Sequence, residues 1–143
     1  MKFLVLGLTL LASLNASAQY KAADLKGTYT VQGVGFPYVA TFKLFNLSGL
    51  PVVSFTEELE GKLNCKGMYS VSYGTQVDIT MYCGDISFNE VYQKFMSGVE
   101  PDFTQVVDLK GVTPEQLNSR FVAPVKSSLY DNVELSFEFV KSK

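Results

Sequence analysis

The sequence predicts an all-β fold: a small antiparallel β-barrel (or sandwich) of about eight to nine strands, with one short helix and one cross-strand disulfide. Three observations carry this. Short runs rich in Val, Thr, Tyr and Phe recur along the chain, separated by Gly, Pro, Asn and Asp signals roughly every ten residues. One hairpin, Cys65 to Cys83, sorts its side chains by face almost residue by residue. No segment offers the long crossover that parallel strands need, and meander connections favour a barrel over a sandwich.

The hairpin turns at Gly74. Folded there, Val77 faces Val71, Ile79 faces Tyr69, Met81 faces Gly67 and Cys83 faces Cys65. The other face pairs Asp78 with Ser70, Thr80 with Met68 and Tyr82 with Lys66. A slip of one residue would scramble the sorting, so the register is specified. Opposed Cβ atoms of an antiparallel pair lie about 4.5–5.5 Å apart, within reach of a disulfide after local twist.

The remaining elements follow in order. A first strand begins near Gly27 and ends at Gly33, Gly35 and Pro37. Tyr38 to Phe45 is a second, with Asn46 to Gly49 as its turn. Pro51 to Thr56 is a third, the proline confined to its start. After Cys83, Gly84-Asp85 marks a tight turn, and Ile86 to Tyr92 reads as a resumed strand. Ser97 to Asp102 is a loop. In the strand from Phe103 to Leu109, Phe103, Gln105, Val107 and Leu109 share one side. The single helix signal is Thr113-Pro114-Glu115-Gln116, an N-cap with proline at the first helical position and a capping box. Phe121 to Val125 resumes β character, and Val133 to Phe139 is a two-faced last strand, apolar against Glu134, Ser136 and Glu138.

Ahead of this, Lys2, an apolar run from Phe3 and the ending Ala16-Ser17-Ala18 have the three parts of a secretory signal peptide. The expected organisation is a signal peptide at 1–18 and a single domain at 19–143, near the usual domain size. The apolar run is too short for a spanning helix, which takes about 20 residues, so no integral span is expected after cleavage. Two cysteines behind a signal peptide read as a structural disulfide made in an oxidising compartment, and the expected location is secreted or periplasmic.

The chain has no His. That removes Ser-His-Asp and Cys-His nucleophile arrangements and His-based zinc or haem sites. The densest acidic group, Glu57, Glu58 and Glu60, lacks the ligand spacing of a calcium loop and reads as a solvated strand end. No catalytic residue, metal site or cofactor is expected, and the protein is not expected to be an enzyme. A net charge of −2, with no basic stretch interleaved with aromatics, excludes a nucleic-acid partner. Asn46-Leu47-Ser48 is an N-glycosylation sequon in a turn, relevant only in a eukaryotic source. An outer-membrane barrel is disfavoured, because Asp78, Glu134, Ser136 and Glu138 interrupt the outward face that lipid would need.

Gly27-Thr28-Tyr29, at the start of the first strand, resembles the Gly-x-Trp opening of the lipocalin and fatty-acid-binding (calycin) barrels. Tyr29 stands where that family has Trp, and Arg120, the only arginine, precedes the penultimate strand instead of lying on the last one. The resemblance implies a barrel enclosing a small apolar molecule. The apolar-face residues Tyr29, Val31, Tyr69, Val71, Ile79, Met81, Phe137 and Phe139 would line the site. Met81-Tyr82-Cys83-Gly84-Asp85 resembles secreted bacterial lysozyme inhibitors, which implies instead a protein partner met by loops such as Ser97 to Asp102. The two expectations differ in what the barrel contains: a cavity in the first case, packed side chains in the second.

Overall fold

The computed structural model describes residues 18–58 and 63–142. Eight antiparallel strands form a closed barrel in which each strand pairs with its sequence neighbour and the last pairs with the first. They are β1 (Gly27–Gly33), β2 (Val39–Leu47), β3 (Leu50–Glu57), β4 (Leu63–Ser72), β5 (Gln76–Cys83), β6 (Phe103–Asp108), β7 (Arg120–Ser127) and β8 (Glu134–Lys141). Closure joins β1 to β8 with Val31 opposite Phe139, which removes the free edges that an open sheet must protect. Most of the expected signal peptide, together with Glu60 and Lys62, lies outside the described residues.

The β4–β5 hairpin has the register its sequence requires, from Cys65 opposite Cys83 to Ser72 opposite Gln76. Its tip is Tyr73-Gly74, both at positive φ, and Cys65 and Cys83 are joined with their Cα atoms 3.9 Å apart. The β2–β3 turn is as tight: Ser48 and Gly49 take positive φ, and the exposed Asn46 accepts the Gly49 N–H at 2.8 Å. Between β6 and β7 the ladder is short, running only from Gln105 opposite Ser127 to Val107 opposite Val125. Pro124 lies just beyond that ladder, in keeping with the rule that proline avoids doubly paired strand interiors.

Two helices interrupt the meander where one was expected. Residues 88 to 92, read above as strand, belong to helix α1 (Phe88–Met96). Its cap decides the matter. The Ser87 hydroxyl accepts the Glu90 N–H at 3.2 Å and the Glu90 carboxylate answers the Ser87 N–H at 3.4 Å, a reciprocal box that satisfies two otherwise unpaired donors. At the far end the Gly98 N–H reaches the Phe95 carbonyl and the Val99 N–H the Lys94 carbonyl, a Schellman cap with Gly98 at positive φ. Helix α2 (Pro114–Leu117) is the one foreseen, with Thr113 and Gln116 in a second capping box. The last strand starts one residue later than expected, which leaves Val133 exposed.

Helix α1 covers an outward-facing patch of the hairpin. Tyr82, Ile86 and Val91 bury together with Met68 against them, which gives the apolar residues on the hairpin's outer face their partners. The main core is the barrel interior. Its two ends are closed differently: Leu25 of the 3₁₀ turn Ala22–Leu25 and Leu117 of α2 plug one, and the rings of Phe36, Tyr38 and Phe137 crowd the other at centroid spacings of 5.0–6.4 Å.

Candidate functional site

The interior is where the eight predicted lining residues meet. Tyr29, Val31, Tyr69, Ile79, Met81, Phe137 and Phe139 are all buried there, and Val71 is half-buried against the same cluster. What they enclose is mostly one another. Phe121 stacks on Phe139 at 4.8 Å, Phe42 meets Phe55 at 4.8 Å, and Phe103 meets Phe55 edge-on at 5.6 Å. Inward positions of a small barrel must be filled by large side chains, and here the rings fill them. Two voids remain. One of about 40 Å³, wholly apolar, lies among Leu25, Tyr29, Ile79, Leu117, Phe121 and Phe139. The other, of about 10 Å³, lies at the opposite end. Pockets that take ordinary small ligands run to about 300–1,000 Å³. The predicted residues are therefore brought together as a packed core.

The phenols around this core serve as ties. Tyr29 donates to the Leu25 carbonyl at 3.0 Å, Tyr69 to the Ala22 carbonyl at 2.9 Å, and Tyr20 to the Val112 carbonyl. They bind the N-terminal segment across the barrel end. Burial pushes the Tyr29 hydroxyl up to about 12. Lys141, on the last strand, places its ammonium 5.7 Å from the centre of the Tyr29 ring. A cation thus covers the aromatic ring at the barrel opening, supplied by a lysine and a tyrosine.

Three polar groups meet inside the second end: Tyr38 and Gln105 were not singled out from the sequence, and Glu57, read there as a solvated strand end, is half-buried. Glu57, at the end of β3, accepts the Tyr130 hydroxyl at 3.3 Å. Tyr38 is held above the usual phenol range by burial first and then by the Glu57 carboxylate beside it. Gln105 is buried in the barrel with its Oε1 unpartnered, and it lines the smaller void with Tyr38, Ser127 and Tyr130. Alternation places Gln105 on one side of β6 with Phe103, Val107 and Leu109, and the structure turns that side inward; only its polarity among them could have flagged it. Glu58, by contrast, is exposed, so these two acids divide between mouth and surface.

Outside the barrel, α1 shows a second apolar face. Tyr92, Phe95 and Met96, spaced i, i+3 and i+4, are 39, 44 and 64% exposed, and Val99 in the cap is 46% exposed. The loop predicted to project is tied back. Tyr82 donates to the Val99 carbonyl at 2.8 Å, and Asp102 accepts the Cys83 N–H at 2.7 Å. The apolar face therefore sits on rigid backbone.

These features define a closed, eight-stranded antiparallel β-barrel. A de novo designed fluorescence-activating β-barrel is similar in structure, with a TM-score of 0.50 at 16% sequence identity over 85% of this chain and 96% of the other. That likeness is one of fold. No protein-family model and no curated protein sequence matches the chain.

Proposed function

We propose that this chain is a secreted or periplasmic binding protein, without catalysis of its own, that engages another protein through α1 and the loop from Ser97 to Asp102. The exposed stripe Tyr92, Phe95 and Met96 carries this reading. Aromatic residues and methionine are enriched at protein interfaces, and central aromatic anchors supply most of their affinity. The ties at Val99 and Asp102 fix the backbone beforehand, which lowers the ordering cost of docking. The filled interior argues against the small apolar ligand that the calycin resemblance implies. The signal-like N-terminus and the disulfide support export. Inhibition of a secreted hydrolase is one form this engagement can take, with the capped loop offered as a preformed wedge.

The test is a paired capture. Native protein and a Phe95→Asp/Met96→Asp variant are immobilised and exposed to the secreted proteins of the source. Both positions are exposed, so the variant should melt within a few degrees of the native protein. The expected result is a partner retained by the native protein and lost by the variant. Retention of the same proteins by both, or of none by either, would overturn the reading.

A further inference from the structure

We propose that the barrel end around Gln105 is a binding site for a small ligand with a protonated amine head on a short apolar body. The site begins with an unmet need. Gln105 is all but fully buried, and its Oε1 has no hydrogen-bond partner. An unsatisfied buried acceptor costs about 1–3 kcal/mol, so a sequence that retains one at an inward strand position leaves a place for a donor. The adjoining void of about 10 Å³ is room for one water-sized group, which is also the size of an ammonium head.

The surroundings select charge and shape. The nearby phenol of Tyr130 is bonded to the Glu57 carboxylate, which sets a negative charge beside this end of the barrel. Aromatic faces complete the setting: Tyr38 and Tyr130 lie 6.3 Å apart, and Tyr38 and Phe137 lie 5.0 Å apart. Aromatic faces attract cations, more strongly when desolvated. A carboxylate head would meet the Glu57 carboxylate, held at this end by Tyr130, with like charge. Val133 both lines the void and is exposed, and this marks where a ligand body would leave. The segment over it, Ser128 to Val133, is a short 3₁₀ turn followed by Asp131 and Asn132, both at positive φ.

The experiment titrates ¹⁵N-labelled protein with hexylammonium chloride, hexanol and sodium hexanoate while following the Gln105 side-chain amide and, in every variant, the backbone amides of Ser127, Tyr130 and Val133, which line the void. The expected result is a saturable shift with hexylammonium, binding at least tenfold weaker for hexanol, and no response to hexanoate. Gln105→Leu should abolish the hexylammonium response while melting no lower than the native protein, because it removes an unpaired buried acceptor. Glu57→Gln keeps the volume and should erase the preference for hexylammonium over hexanol. Equal responses to the three compounds, an unchanged preference in Glu57→Gln, or a crystal grown with hexylammonium showing only a bound water at Gln105 would each overturn the proposal.

Discussion

A Cβ placed on Gly67 would come within 1.9 Å of the Thr80 carbonyl oxygen, so β4 and β5 approach as closely as they do only because residue 67 has no side chain. Gly67→Ala must push the strands apart beside Met81. Overpacking of this kind costs about 1–3 kcal/mol, and the urea midpoint should fall accordingly with the slope unchanged. The buried phenols set the alkaline limit. A tyrosine in the unfolded chain ionises near 10.0, whereas Tyr29 in the barrel holds its proton to about 12. Between those values the unfolded state releases a proton that the folded state keeps, so stability is full below pH 10 and drains away as pH rises toward 12. Tyr29→Phe removes that contribution together with a hydrogen bond worth about 1 kcal/mol. Comparing unfolding at about pH 9 and about pH 11, the native protein should lose more stability than the variant. Single inward residues such as Tyr29 and Ile79 were legible from alternation alone. That Gln105, Tyr38 and Tyr130 line one void, with Glu57 bonded to Tyr130, was not, because they come from segments distant in sequence.

At the scale of elements, the β4–β5 hairpin and α1 show what local sequence can and cannot decide. The hairpin was readable because its turn and its two-faced sorting lie within a few residues of each other and demand one register. Ile86 to Tyr92 misled because Ile, Phe, Val and Tyr favour strands, while the competing signals were two small ones: Ser87 three residues before Glu90, and Gly98 at the far end. Those caps, and the burial of Val91 over Met68 and Tyr82, outweigh β-propensity, which tertiary context readily overrides. Ser87→Ala should therefore destabilise the protein by about 1 kcal/mol. Amide hydrogen exchange should quicken in α1 while the barrel strands stay protected. Unchanged exchange in α1 would mean that packing alone holds the helix. The same outward stripe that makes α1 unusual as a cover is the surface offered to a partner.

For the molecule as a whole, closure and filling are linked. An eight-stranded barrel leaves an interior just wide enough for side chains, and the surplus of Phe and Tyr, with no Trp, supplies them. Fold class, the register of the β4–β5 hairpin and its disulfide could be read from patterns of period two. Whether the enclosed space was full could not, since that depends on how rings from different strands interlock, as Phe42, Phe55 and Phe103 do. The disulfide spans 18 residues. In the chain-entropy model its removal in Cys65→Ala/Cys83→Ala costs about 3 kcal/mol, measurable as a lower midpoint that reducing agent reproduces in the native protein. The filled interior itself is tested most directly by titrating the protein with a fluorescent long-chain fatty acid and with retinol. Packed rings and voids of about 40 and 10 Å³ predict no saturable one-to-one binding of either; stoichiometric, displaceable binding at micromolar concentration would contradict it.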